Sequence, residues 1–407
     1  MSNIAIELPQ ALSPYVLKQL RYKLFYHFPH IDEISYEEAP PRLLIRGDDR
    51  ISLESFAKSV HSLIKELQIV NRTFKQEVVV YKHTSTQNEV DSGGIKLFSD
   101  GVIPVGDGSV IYKGFALQLV DKVKQLVDSL FSRLSREQVR VPSSISLVEL
   151  NKINYVPSFH HHLCFVSNLD PQLDKMRAFP AAWAARGESQ VPSTLNDFTA
   201  TPSRALNPAV CLHIYPMLAA QRQTSFETSS WVAASGKVFR FESANHSALE
   251  RLFEFTMHEL INVGPELDVQ ENGKKIIKLF EALSEALQLD SQLVVANDMF
   301  IGERDQNRMF AQLSTQSKVE LMVRLSPEDR YIAAGSLNLH GQHFTKPLGI
   351  QDPNSQTLSG SLCMGIGIER LALALASQHG ARVFDILSSA DVAGMIAQSG
   401  LALADNP

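Results

Sequence analysis

The stretch Ser361–Leu375, SLCMGIGIERLALAL, decides the fold. A strand punctuated by Gly365 and Gly367 turns into a very apolar helix, and Arg370 sits at the junction. A guanidinium entering a buried helix is costly unless something negative meets it. Cys363, one of only three cysteines in the chain, lies seven residues before it. The arginine and the thiol together mark this junction as a candidate site.

The composition limits what such a site could be. The chain has 407 residues, enough for two or three domains, with 44% hydrophobic and 20% charged residues. A net charge of −6 argues mildly against general nucleic-acid binding, because phosphate-tracking surfaces are usually basic. The N-terminus, MSNIAIELPQ, lacks the basic and apolar runs of a signal peptide, and no segment has the length of a membrane span. Cys164, Cys211 and Cys363 are too few and too scattered for a disulfide framework. The expectation is a reduced, cytoplasmic protein with no membrane partner.

Working outward from the junction, the chain divides near residue 92. Leu12–Phe28 has helical apolar spacing, ISYEEAPPRLLIRGD reads as two strands around a Pro-Pro turn, and SLESFAKSVHSLIKELQIV is a helix that Ser52 can cap. With the β run QEVVVYKHT, this predicts a small N-terminal α+β domain over residues 1–92, an accessory unit, followed by a larger domain over 93–407. The polar, Gly-containing stretch HTSTQNEVDSGGIKLFSDG is the boundary candidate. After it come a hairpin around Gly106-Asp107-Gly108 and a long amphipathic helix, Phe115–Ser135.

Two further strands carry unexpected charge. In GKVFRFES, Phe239 and Phe241 point one way while Arg240 and Glu242 point the other. Cross-strand ion pairing would explain that pattern without any function. In RLFEFTMHELINVG, Phe253, Phe255, Met257, Glu259 and Ile261 share one face, so Glu259 interrupts an apolar row. Either the strand end opens to solvent there, or the carboxylate meets a metal or an ammonium group.

Taken together, these segments resemble a class II aminoacyl-tRNA synthetase catalytic domain. FRFE matches the arginine-x-glutamate of motif 2, and GIGIER matches motif 3 with Arg370 as its arginine. NDMFIG, KVEL, SLNLHGQHF and SLCMGIGIER follow in the order of atypical, zinc-containing seryl-tRNA synthetases, and resemble more closely the amino acid:carrier-protein ligases related to them. NPAVCLHIYP and INYVPSFHHHL resemble segments of the same ligases, and the likeness spans roughly residues 93 to 407. It implies an antiparallel sheet flanked by helices and an enzyme that activates an amino acid with ATP as an aminoacyl-adenylate. The aminoacyl group would then pass to the phosphopantetheine thiol of a carrier protein.

The resemblance also implies roles for individual residues. Cys211, Glu259 and Cys363 would hold Zn2+, leaving one position for the amino group of the substrate. Arg240 would contact the α-phosphate and the substrate carboxylate, and Arg370 the γ-phosphate at its helix N-terminus. Glu242 would accept from the adenine amino group, Phe255 would stack on the ring, and Arg251, Leu252 and Ser336 would complete the ATP contacts. Mg2+ would bridge the phosphates through Glu320 and its neighbours. Ser146–Phe159 falls in the motif 1 region, which implies a homodimer.

The chain departs from the pattern in three places. The first 140 residues hold no long coiled-coil arm, which weighs against tRNA as acceptor. His258 stands where an arginine-like residue is usual, and LSGSLC replaces a His-Thr-containing stretch. The alternatives are a seryl-tRNA synthetase-like enzyme or a catalytically inactive paralogue acting as a binding module. The triplet His160, His161, His162 cannot face one point in regular structure, so it reads as no metal site, and Cys164 reads as structural.

Overall fold

A computed structural model describes residues 2–28, 30–47, 52–85, 92–106, 108–135, 137–184, 195–221, 230–243, 246–302, 305–325, 330–351 and 357–404. Asp107 and residues 86–91 of the proposed boundary stretch lie outside these.

The junction forms as its pattern dictates. The strand Gly360–Gly367 hydrogen-bonds on both edges, and the helix Ile368–His379 follows directly. Leu362, Met364 and Ile366 face one core together with the helix residues Leu371, Leu373 and Leu375. Cys363 faces the other way, into a second core. Alternation of period two thus puts the thiol and the packing face on opposite sides of one strand.

Among the described residues the strands in chain order are β1 Ser2–Glu7, β2 Ile31–Glu38, β3 Pro41–Gly47, β4 Val79–His83, β5 Val102–Gly106, β6 Ser109–Tyr112, β7 Glu137–Arg140, β8 Ser144–Ser146, β9 Phe165–Val166, β10 Arg204–Leu206, β11 Ser230–Phe239, β12 Glu254–Gly264, β13 Ser291–Val295, β14 Lys318–Leu325, β15 Arg330–Gly341 and β16 Gly360–Gly367. Eight of them build the main sheet in the order β4-β13-β14-β15-β16-β12-β11-β7, antiparallel except for the parallel pair β11–β7. The fold is therefore α+β, with a large antiparallel-dominated sheet flanked by helices. Helices Gly114–Leu134, Glu266–Ala286 and Ile368–His379 bury Leu119, Leu130, Ile276, Phe280 and Leu373 against one face. The other face carries the second core, which includes Tyr215, Phe344, Cys211 and Cys363.

The N-terminal segment makes its own three-stranded sheet, β1-β3-β2, covered by helices α1 Pro14–His27, α2 Leu53–Glu66 and α3 Gln68–Thr73. The Ser52 hydroxyl caps α2 by accepting from Ser55 N–H at 3.4 Å. The run Val79–His83 does not join this small sheet; β4 pairs with β13 at the edge of the large one. The small unit is also not isolated, because Val295, Met309 and Leu313 belong to the same core as Leu20, Leu43 and Phe56.

Candidate active site

The pocket floor is one face of four neighbouring strands, and strand register specifies which residues line it. Cys363 on β16 lies opposite Asn338 on β15 and Ile261 on β12; Gly365 lies opposite Ser336 and Glu259. Lys318 and Glu320 on β14 lie opposite Asn338 and Ser336. Steps of two along each strand therefore gather Lys318, Glu320, Ser336, Asn338, His340, Glu259 and Cys363 on one side. Glycine at 365 leaves the space above the floor open, where a Cβ would meet the Glu259 and Met257 side chains at 3.6–3.9 Å. A cavity of about 220 Å³ stands over this floor.

The thiol end of the cavity is buried and built from distant parts of the chain. Cys211 comes from the short turn Val210–His213, while Cys363 and His340 come from adjacent strands. One ligand atom from each of these three lies within 4.8 Å of the others. His340 Nε2 is 3.2 Å from Cys363 Sγ, and Asn338 Nδ2 donates to the same sulfur at 3.8 Å. Glu259, expected among the ligands, accepts from Val210 N–H at 3.2 Å and from Cys211 N–H at 2.9 Å, so it clamps the turn that carries the thiol. Burial, with the Cys363 sulfur adding to it, pushes the Glu259 carboxyl up to about 7. The Cys363 thiol is pulled well down, first by the hydrogen bond from Cys211 and then, against its burial, by His340. Two buried sulfurs, a half-buried imidazole and a buried carboxylate form a donor set that suits zinc.

His340 was not among the residues singled out in the sequence. The signal was there: it follows Ser336 and Asn338 at steps of two in AAGSLNLH. His160–His162 forms a single 3-10 turn in which His162 lines the cavity and stacks at 4° on Phe159. Cys164 is half-buried, its sulfur 3.9 Å from the His162 carbonyl.

The charged end begins where β11 stops. The strand ends at Phe239, so Arg240 and Glu242 lie just past it rather than inside it. Arg240 Nε donates to the Pro208 carbonyl at 3.2 Å, and its guanidinium sits 5.4 Å from the Phe255 ring centroid. Glu242 accepts from Arg251 at 2.7 Å. Burial alone would raise its carboxyl, but Arg251, Arg370 and Arg240 outweigh burial and hold it below the usual range. Arg370 donates from Nε to the Glu250 carbonyl at 2.7 Å and from a terminal nitrogen to the Ala333 carbonyl at 3.3 Å. Arg240, Glu242, Leu252, Phe255, Ser336 and Arg370 all line the same cavity as the thiol cluster. Arg251 joins them through its ion pair with Glu242.

Glu320, Asp298 and Lys318 form a third group on the cavity wall. Lys318 Nζ is 2.5 Å from Asp298 and 3.6 Å from Glu320, and Lys18 of α1 reaches the other Glu320 oxygen at 3.0 Å. The Glu320 carboxyl is pushed up by burial, but Lys18 and then Lys318 reverse this and leave it lowered. Asp298, Lys318 and Glu369 were also missed in the sequence. Glu369 is explained by packing, since both of its oxygens accept from Thr256 N–H at 2.8–2.9 Å.

No family model matches the chain. It is 30% identical over 279 residues to amino acid–acyl-carrier-protein ligase 1 of Bradyrhizobium diazoefficiens, a match covering 66% of this chain and 81% of the relative. It is 22% identical over 317 residues to the type-2 serine–tRNA ligase of Methanococcus aeolicus, covering 77% of this chain but 59% of that longer protein. The crystal structure of Methanopyrus kandleri seryl-tRNA synthetase with Aquifex aeolicus tRNASec superposes with a TM-score of 0.67 at 19% identity, covering 100% of this chain and 79% of that one. That likeness bears on the fold.

Proposed function

Because the chain belongs to the amino acid–acyl-carrier-protein ligase family, we propose that it activates an amino acid with ATP and transfers it to the phosphopantetheine thiol of a carrier protein. The observation that carries this reading is a single cavity holding both a thiol cluster and two arginines, Arg240 and Arg370, that suit a triphosphate. Cys363 and Gly367 are four residues apart on β16, about 13 Å along the strand. An amino acid held near Cys363 could thus present its carboxylate to a nucleotide held near Arg370.

In the first step a carboxylate oxygen bonds to the α-phosphorus while the bond to the bridging oxygen breaks, and pyrophosphate leaves. No covalent enzyme intermediate is needed, so the protein contributes positioning and charge neutralisation. Arg240 would neutralise the α-phosphate and the carboxylate, and Arg370 the departing phosphates. Glu242 would accept from the adenine amino group, against the Phe255 face that Arg240 now covers. Arg251 and Leu252 would close over the nucleotide, and Ser336 would contact it from the floor. In the second step the thiol gives up its proton, sulfur bonds to the acyl carbon, and AMP departs with the bridging oxygen.

Cys211 and Cys363, with either Glu259 or His340 as the third ligand, would hold Zn2+, and the fourth position would supply a Lewis acid for the neutral amine of the substrate. Mg2+ would arrive with ATP; the carboxylates nearest its expected place, Glu320 and Asp298, are already paired with lysines. In this reading residues 93–407 form the catalytic domain and residues 1–92 an accessory unit. The protein works in the cytoplasm as a homodimer, to be tested by sedimentation. Among the described residues no helix is long and apolar enough to cross a membrane.

The test is amino-acid-dependent ATP–pyrophosphate exchange by the full chain, followed by mass analysis of a phosphopantetheinylated carrier. Exchange plus a thioester-loaded carrier is the expected result. Exchange followed by transfer only to tRNA would favour the serine–tRNA ligase side of the resemblance. No exchange with any amino acid by zinc-replete protein would favour an inactive binding module.

A further inference from the structure

The N-terminal helix α1 presents one polar face to the rim of the cavity. Lys18, Gln19, Tyr22, Lys23 and Tyr26 recur at helical spacing. Gln19 donates to the Asp298 carbonyl at 2.8 Å, Tyr22 hydrogen-bonds His162 Nε2 at 2.9 Å, and Tyr26 donates to the Phe241 carbonyl at 2.5 Å. Lys23 makes a buried ion pair with Asp305 at 2.7 Å. Of the groups that α1 contacts, Asp298, His162 and Glu320 line the cavity.

The charge count at this wall is closed. Asp298 and Glu320 supply two negative charges; Lys318 and Lys18 supply two positive ones, at 2.5, 3.6 and 3.0 Å. A divalent cation on Glu320 would sit about 2.1 Å from a carboxylate oxygen, hence within roughly 5 Å of an ammonium group on either side. No net negative charge is left to hold it, and two like charges would oppose it. The donors are right in kind for Mg2+, but they do not form an open cation cage.

We propose that Lys18 is a resident counter-cation for Glu320, so that a divalent cation reaches this carboxylate only by displacing the N-terminal helix's ammonium group. Docking of α1 and metal binding at Glu320 therefore compete. Of the two lysines, Lys18 is the one that can yield. Its side chain is 40% exposed and free to swing into water, whereas Lys318 is 13% exposed and also bonded to Asp298. A partner that loosens the N-terminal unit would open the carboxylate to metal. This inference rests on the nucleotide reading of the cavity only for its catalytic consequence.

The test uses the full chain and Mn2+ as the probe, read by electron paramagnetic resonance without nucleotide. Lys18→Met should create or tighten one Mn2+ site by at least about tenfold, equivalent to about 1.4 kcal/mol. Lys18→Arg, which keeps the charge, should bind as the parent does, and Lys18→Met/Glu320→Gln should lose the gain. Mn2+ binding that is the same in the parent and in Lys18→Met would overturn the proposal. So would a gain that survives the Glu320→Gln change, because the site would then lie elsewhere. In ATP–pyrophosphate exchange the Mg2+ needed for half-maximal rate should fall several-fold in Lys18→Met. Absence of any exchange would count against the adenylation reading and leave the Mn2+ result to judge this one.

Discussion

The two ends of the cavity are built by opposite strategies. At the thiol end Cys211, Glu259, His340 and Cys363 come from four segments far apart in the chain, yet three of them sit on paired central strands of the sheet. Their spacing is fixed by backbone register, and Glu259 uses both oxygens to pin the turn bearing Cys211. At the charged end Arg240, Glu242, Arg251 and Arg370 lie past strand ends or at a helix start, and each is tied to an internal partner. The thiol end has its donors gathered in advance. The charged end must exchange its own hydrogen bonds for those of a ligand. Fixed geometry suits orientation of a small substrate, while exchangeable pairs suit a large polyanion that arrives and leaves as product.

The sharpest way to break this contrast is at the thiols. Cys363→Ser removes a soft ligand that no neighbour can replace and should abolish stoichiometric zinc, with exchange activity falling at least about 100-fold. Zinc content measured by elemental analysis reads the first effect and pyrophosphate exchange the second. Full zinc occupancy in Cys363→Ser would show that the metal is held without this thiol, and that Cys363 is a buried cysteine with no ligand role.

Arg370→Ala should separate the ends. Activity should drop by about 10² to 10³ in kcat, the usual cost of removing a donor aimed at developing negative charge. Zinc content should stay that of the parent, because the hydrogen bonds of Arg370 go to the Glu250 and Ala333 carbonyls and not to the thiol end. Loss of zinc in this variant would mean that the two ends fold as one unit and the contrast is false.

How much of this was legible in the sequence follows the same division. The charged end sits on short contiguous motifs, so FRFE and GIGIER pointed to Arg240, Glu242 and Arg370 directly. Period-two alternation placed Glu259 in an apolar row, and β12 does carry Phe255, Met257 and Glu259 on one face. His340 and Lys318 needed strand register, which no single stretch encodes, because each meets its partners across a neighbouring strand. The strand leading to Arg240 is shorter than its pattern suggests, because alternation continues past Phe239 while pairing with β12 ends there. The membership of Val79–His83 was likewise a matter of pairing: a short valine run fits either sheet, and β13 rather than β2 or β1 offered it an edge.

The smallest predicted effect concerns the seam between α1 and the charged end. His161 packs edge-on against Tyr22 at 5.9 Å and against Tyr26 at 5.9 Å, and burial lowers its pKa from 6.5 to about 4. A histidine whose folded pKa is depressed contributes stability that is present above about 6.5 and is lost as pH falls toward 4, since the unfolded chain binds the proton first. The slope from one such group is at most about 1.4 kcal/mol per pH unit in that window. His161→Leu should therefore flatten part of the fall in Tm between pH 6.5 and 4, measured by calorimetry, while leaving zinc content at pH 7.5 unchanged. His213 and His258 are lowered to about 4 in the same way, by burial first, and lie away from α1, so the variant should retain their share of the slope. A His161→Leu profile parallel to the parent's would mean that the seam protonates without opening, and that α1 is held by its ion pairs rather than by the aromatic contacts around His161.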